Sequence, residues 1–232
     1  MRICTICARG GSKGIPGKNL FPLLGKPLVA HSVRQALDSG LFDIVAVSSD
    51  SDAILEAAAA EGPVHAIRRP AELAGDKAPK TPVMRHAVDT VERETGLRFA
   101  TMVDLDATSP LRGIDDIQAC VELIERHGHG NVLTAMPARR SPYFNQLERG
   151  PDGRWGLSKP PVTEIAGRQG VPETLDMNAS IYAWSRAAFM AGPSLFADDT
   201  AVHVMPLERS WDIDEPIDLE IVAFLMARNS AG

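Results

Sequence analysis

Eleven residues near the amino terminus mix glycines with cations: Arg9-Gly10-Gly11-Ser12-Lys13-Gly14-Ile15-Pro16-Gly17-Lys18-Asn19. Gly10, Gly11, Gly14 and Gly17 let backbone N–H groups turn inward as an anion nest. Arg9, Lys13 and Lys18 add positive charge among them. A triphosphate needs both features, because its charge must be neutralised and its leaving group held in line. The segment is not a P-loop: Ser12 stands where the first glycine belongs, and Asn19 follows Gly17-Lys18 in place of Ser or Thr. It has no G-x-G, so the dinucleotide fingerprint fails as well. The loop therefore predicts a grip on a nucleoside triphosphate by a different design.

A second motif lies at the far end, in Trp211-Asp212-Ile213-Asp214. Carboxylates at i and i+2 on an extended segment point the same way. That spacing suits Mg²⁺, which takes a few carboxylates and completes its shell with phosphate oxygens and water. A helix-capping role would explain Asp214, before Glu215-Pro216, better than Asp212. Asp104-Leu105-Asp106 is another such pair at a strand end. Asp106 there suits the metal, the acceptor or a loop cap equally, with Thr108, Ser109 and Arg112 just beyond. Cys4 and Cys7 form C-x-x-C, but three residues apart on a strand they face opposite sides and read as buried strand residues. Cys120 reads as core, and the six histidines show no ligand spacing.

The elements that must position these motifs alternate. Apolar strand runs at Arg2–Ala8, Ile44–Ser48, Val64–Arg68, Thr101–Leu105 and Asn131–Ala138 alternate with helical patterns at Pro27–Gly40, Asp52–Glu61, Pro82–Thr95 and Asp115–His127. Ser180–Ser185 and Ala201–Met205 read as returning strands and Pro216–Arg228 as a closing helix. This βαβ rhythm predicts an α/β fold: a Rossmann-like, mostly parallel sheet with helices on both faces. Ligands on such sheets bind at the carboxyl ends of the strands. The glycine loop, Ser48-Ser49-Asp50 and the Asp106–Arg112 loop should therefore share one rim. The rhythm breaks over about 139–178, which is rich in Pro, Gly and Arg and too long for a simple loop. It reads as an inserted lid or dimer contact within a single domain of 1–232.

The 232 residues carry a net charge of −6, with 44% hydrophobic and 23% charged residues. That balance disfavours a nucleic-acid binder. No apolar run is long enough for a membrane span or a signal peptide, which predicts a cytoplasmic protein. Charge is uneven: no acid precedes Asp38, whereas Asp198–Glu220 is strongly acidic. One end suits phosphates and the other a cation.

Seven pieces, in order, resemble the acylneuraminate cytidylyltransferase family: Cys7–Gly14, Lys18-Asn19-Leu20, Val47–Asp50, Arg69–Ala74, Thr108–Arg112, Asn178–Tyr182 and Asp212-Ile213-Asp214. Within it, the subgroup making CMP-legionaminic acid looks nearest, through Asp104–Ala107, Pro137–Asn145 and Asp176–Ser180. The resemblance implies a nucleotide-diphospho-sugar transferase type of fold. It implies condensation of CTP with a nonulosonic acid, with Mg²⁺, release of pyrophosphate, and a homodimer joined through the 139–176 excursion. Arg9, Lys13 and Lys18 would hold phosphates against the Gly10-Gly11-Ser12 backbone. Asn19, Arg69 and Lys80 would lie near the nucleotide, and Asp106, Thr108 and Asn178 near the sugar. Asp212 and Asp214 would hold Mg²⁺, and one of them would help deprotonate the attacking hydroxyl. Arg139, Arg140 and Arg168 suit either a sugar carboxylate or the surface. Tyr143, Phe144, Trp155 and Trp184 suit either a sugar pocket or packing.

The chain departs from the sialic-acid enzymes at Asp106-Ala107, where the sugar is expected, and at Pro79-Lys80, near the nucleotide. Sialic-acid enzymes typically carry Gln-Pro where this chain has Asp106-Ala107, and often Ser-Ser where it has Pro79-Lys80. They also carry an Arg near Asn178 where this chain has Asp176. An ionised carboxylate cannot donate a hydrogen bond, so the sugar substituents recognised should differ from those of plain N-acetylneuraminate. A CMP-N-acetylneuraminate or CMP-pseudaminate synthetase is the alternative within the family. A D-x-D glycosyltransferase and a non-catalytic nucleotide-binding protein are the alternatives outside it.

Overall fold

The computed structural model describes residues 1–12, 14–75, 78–160, 170–192 and 194–230, with residues 229 and 230 described by their backbone alone. Lys13 and Arg168 lie outside the described residues. A seven-stranded sheet runs through the middle. Its strands are β1 (Arg2–Cys7), β4 (Ile44–Ser49), β5 (His65–Arg68), β6 (Thr101–Leu105), β7 (Asn131–Pro137), β10 (Leu175–Ser185) and β11 (Ala201–Val204), in the spatial order β11-β7-β10-β6-β1-β4-β5. Two small hairpins supply β2 (Pro22–Leu23) with β3 (Lys26–Pro27), and β8 (Leu147–Arg149) with β9 (Trp155–Leu157).

The central strands are nearly continuous apolar runs because both faces are covered, as parallel sheets require. Side chains alternate between those faces. Cys4, Ile6, Val45 and Val47 meet α1 (Leu28–Asp38), α2 (Asp52–Ala59) and α4 (Ile114–Glu125). Ile3, Ala46 and Met102 meet α3 (Lys80–Thr95) and α5 (Arg186–Ala191). Cys4 and Cys7 accordingly pack on opposite faces, as strand alternation demands. Trp184 is 1% exposed, stacks on Tyr182 at 6.0 Å and meets Phe189 edge-on, so it is core and not sugar pocket.

Eleven of the twelve elements expected from periodicity have ends within about two residues of those observed. Strand β10 begins five residues earlier than expected. It runs antiparallel to both β6 and β7, and its register shifts between Met177 and Tyr182. Ala179 there adopts a left-handed φ of 52°. That irregularity broke the alternating pattern from which a strand is read. Helix α5, six residues long, fell below what periodicity resolves.

Every strand of the sheet except β10 points the same way, so the carboxyl ends of β1, β4, β6 and β11 share a rim. Antiparallel β10 brings its first half to that rim as well. Helix α6 (Pro216–Ser230) closes the chain and packs with Ile15, Leu23, Leu28, Leu111 and Ile213 in a third apolar cluster. That cluster fastens the end of the chain to its beginning.

Candidate active site

A cleft of about 340 Å³ opens on the rim, lined by residues of the glycine loop, the Arg69–Val83 stretch, the Asp106–Thr108 loop and Asp214. Its volume falls in the range of small-molecule sites. The glycine loop begins where β1 ends. Ala8 N donates to Ser48 O at 3.0 Å, and Gly10 N to Asp50 Oδ1 at 2.8 Å. Asp50 therefore sets the loop's course, a task its place after β4 did not announce. Asn19 Nδ2 donates to Arg9 O at 2.9 Å, while its buried Oδ1 has no partner. Arg69 is buried and donates to Ser48 through Nε at 3.2 Å and Nη2 at 2.7 Å. Arg9, Gly11, Ser12, Lys18, Asn19 and Arg69 all line the cleft.

The carboxylate arm reaches the same place from the other end of the chain. Ile213 is buried, and its N–H donates to Thr108 O at 2.9 Å. Asp212 and Asp214, one residue to either side, thus lie away from the core. Lys18 Nζ donates to Ile213 O and to Asp214 Oδ1, the latter at 2.9 Å. Gly14 abuts the Asp214 carbonyl so closely that a Cβ would run into it. Glycine is needed there for a close approach of two backbones, without any special φ. Asp218 caps the turn behind the arm by accepting from Asp214 N at 3.0 Å and Glu215 N at 2.8 Å.

Negative charge accumulates beside the arm. Burial raises the Asp212 carboxyl above its ordinary value, and Asp214, Asp106 and Asp218 raise it further. Among the described residues no three His, Cys, Asp or Glu side chains converge as a ready-made metal cage. Two carboxylates on one edge fit Mg²⁺, which takes its remaining ligands from phosphate and water.

Asp106 accepts from Thr108 N at 3.0 Å, Thr108 Oγ1 at 2.9 Å and Lys80 Nζ at 2.8 Å. Burial alone would raise its carboxyl, but Lys80 and Thr108 override that and hold it well below the usual range. Lys80 responds in kind: burial would lower it, yet Asp104 and Asp106 raise it. Its links to Asp104 and Tyr182 arise from long-range packing that local spacing does not carry, although the period-2 spacing of Asp104 and Asp106 puts those two on one face. Arg112 lies inside. It donates to Ser180 Oγ and Ser32 Oγ at 3.0 Å each, to Gln35 Oε1 at 3.1 Å and to Asp106 O. Burial pulls it down to about 10, so it remains a cation at neutral pH and braces the loop from within.

Asn178 is also internal, 4% exposed. Its Oδ1 accepts from Thr134 Oγ1 at 2.6 Å, and its Nδ2 donates to Ser210 Oγ at 3.0 Å. It touches the arm's root and lies outside the cleft lining. Asp116, 1% exposed, secures that root too, accepting from Gly113 N at 2.8 Å, His203 at 3.0 Å and Arg209 Nη2 at 3.0 Å. Arg139 and Arg140 lie on the excursion, away from the cleft. Phe144, Leu147 and Trp155 there are exposed, Leu147 by 63% and Trp155 by 68%. Lys159 lies 5.6 Å from the Tyr143 ring.

Arg9, Lys18 and Arg69 line one cleft with Asp106 and Asp214 at the carboxyl edge of such a sheet, Asp212 lying outside that lining, and cations gathered there suit a phosphate-bearing substrate. A family model described as cytidylyltransferase matches residues 3–145, and the chain belongs to that family. The chain is 40% identical over 224 residues to post-translational flagellin modification protein B of Campylobacter coli, covering 97% of this chain and 94% of that one. It is 39% identical over 225 residues to the CMP-N,N'-diacetyllegionaminic acid synthase of Campylobacter jejuni, with the same coverages. The synthase of that name from Legionella pneumophila is 30% identical over 236 residues, 99% of this chain and 98% of that one. Among solved structures, a CMP:2-keto-3-deoxy-manno-octonic acid synthetase complexed with CTP shares the fold. The TM-score is 0.72, at 18% identity over 98% of this chain and 99% of that chain. The chain is a nucleotidyltransferase enzyme on a Rossmann-like fold, and no helix among the described residues is long and apolar enough to cross a membrane.

Proposed function

We propose that the protein condenses CTP with a nonulosonic acid of the legionaminic type, giving the CMP-sugar and pyrophosphate. The observation that carries this reading is the cleft itself. Arg9, Gly11, Ser12 and Lys18 of the amino-terminal loop share one cleft with Asp106 and Asp214, and Lys18 bonds Asp214 directly, in a chain whose relatives with 39–40% identity span 97% of it. Arg9, Lys13 and Lys18 bind the triphosphate against the backbone of Gly11 and Ser12, while Gly10, its N–H held by Asp50, sets the turn of the loop. Asn19, with its partnerless Oδ1, and Arg69 lie at the nucleoside. Asp106 and Thr108 orient the acceptor. The anomeric oxygen bonds to the α-phosphorus as the bond to the departing pyrophosphate breaks, and Asp212 or Asp214 helps remove the hydroxyl proton. Asp212 and Asp214 would hold Mg²⁺, which would supply positive charge for the phosphate oxygens.

The working form is a homodimer in the cytoplasm, joined through the excursion. The solvent exposure of Phe144, Leu147 and Trp155 supports that interface, because clustered exposed apolar residues mark association sites. The decisive experiment is pyrophosphate release from CTP and Mg²⁺ with a panel of legionaminic, pseudaminic, sialic and deaminated sialic acids, each nucleotide compared in turn. Release with CTP and a legionaminic acid is expected. Silence across the panel would overturn the reading.

A further inference from the structure

Lys80 is the first residue of α3, where the helix's positive end disfavours a cation, and the first turn holds no acid to balance it. Its position makes sense from what it meets. Nζ lies 2.9 Å from Asp104 Oδ2, 2.8 Å from Asp106 Oδ2 and 4.5 Å above the Tyr182 ring. Asp104 is 1% exposed. Its Oδ1 accepts from Thr5 Oγ1 at 2.7 Å, while its buried Oδ2 accepts no hydrogen bond. The ammonium 2.9 Å away is therefore the counter-charge of that oxygen. Asp104 and Asp106 sit two residues apart at the end of β6 and face the same way. Without Lys80 they form a like-charge pair in a poorly solvated corner, which one of them would relieve by moving or by taking a proton.

We infer that Lys80 is a positioning residue for the acceptor. It is a built-in counter-ion that neutralises Asp104 and so keeps the Asp106 carboxylate aimed into the cleft to receive an acceptor hydroxyl. The ammonium occupies the position a cation would take between the two carboxylates, which assigns Asp106 to the acceptor and leaves the metal to Asp212 and Asp214. This rests on the reading of Asp106 and Thr108 as the acceptor side of the site.

The test uses the full chain with CTP and N,N'-diacetyllegionaminic acid, comparing wild type, Lys80→Met, Lys80→Arg and Lys80→Met/Asp104→Asn. Pyrophosphate release is measured while each substrate is varied, with a melting curve for every variant. Lys80→Met should lower kcat/KM for the acid about tenfold or more and move the KM for CTP less than about threefold. Lys80→Arg should keep part of the acceptor activity. The double variant should recover most of the loss, because it removes the uncompensated charge along with its partner. An equal change in both substrates would make Lys80 a nucleotide contact and overturn the inference, as would a double variant no better than Lys80→Met. If Lys80→Met does not fold, the double variant decides: near-wild-type kcat/KM for the acid supports the inference, and a loss of about tenfold refutes it. Failure of wild type itself on every acid sinks the reading of the substrate, a result distinct from either outcome.

Discussion

Gly14→Ala tests whether the two ends of the chain form one site. The new methyl group would collide with the Asp214 carbonyl oxygen and lie 3.4 Å from its carbon. A backbone oxygen cannot rotate aside. Asp214 is fixed by the Ile213 to Thr108 bond at 2.9 Å and by Asp218, which accepts from Asp214 N at 3.0 Å. The loop or the arm must therefore shift. Overpacking of this kind costs about 1–3 kcal/mol. For a domain this size that is a fall in melting temperature of roughly 2–12 °C. A displacement near 1 Å between phosphate grip and carboxylates should also cost about 100-fold in kcat/KM for CTP. Two neighbours calibrate the stability arm. Gly11→Ala meets nothing within 4 Å, so its stability should stay within about 0.5 kcal/mol of wild type. Gly17→Ala has space but a φ of 67°, and should cost about 1–2 kcal/mol. Calorimetric melting and steady-state kinetics read both effects. If Gly14→Ala melts and turns over like wild type, the contact between loop and arm is not part of the working enzyme.

Other outcomes follow from the same geometry. Asp212→Ala should lower kcat on the order of 10²–10³-fold while melting within a few degrees of wild type, and near-normal turnover would refute its role at the metal. Asp116→Asn should destabilise by about 1–3 kcal/mol at neutral pH, because His203 and Arg209 lose a buried charged acceptor. Burial alone would raise the Asp116 carboxyl, but His203, the Gly113 amide and Arg209 hold it below its ordinary 3.8. A depressed carboxylate adds stability above its unfolded pKa and loses it as pH falls through the folded value. The gap between wild type and variant should therefore be full above about pH 5 and close on acidification below 3.8, and a gap that widens in acid would contradict the assignment. Replacing both Leu147 and Trp155 with Glu should convert a dimer to a folded monomer in sedimentation velocity, and a variant that sediments like wild type would place the interface elsewhere.

The sequence by itself determined the sheet, most of the helices and the two chemical poles of the site. Apolar periodicity is a local property, and it reports the faces that a strand or helix must bury whatever lies opposite. The glycine-cation loop and the Asp212, Asp214 pair were legible for the same reason: their chemistry resides in residue type and short spacing. What only the tertiary structure decided were long-range pairings. That Asp50 holds Gly10, that Lys18 reaches Asp214 across nearly the whole chain, and that Lys80 sits between Asp104 and Asp106 depend on crossovers that bring four strand ends to one rim. Asn178 and Arg112 illustrate the difference. Their motifs marked them for the site, but folding turned both side chains inward, where a buried amide or guanidinium must find partners at once and becomes a brace for the loops. Residue type set what each group was able to bind, and burial decided whether any of that capacity was left for a substrate.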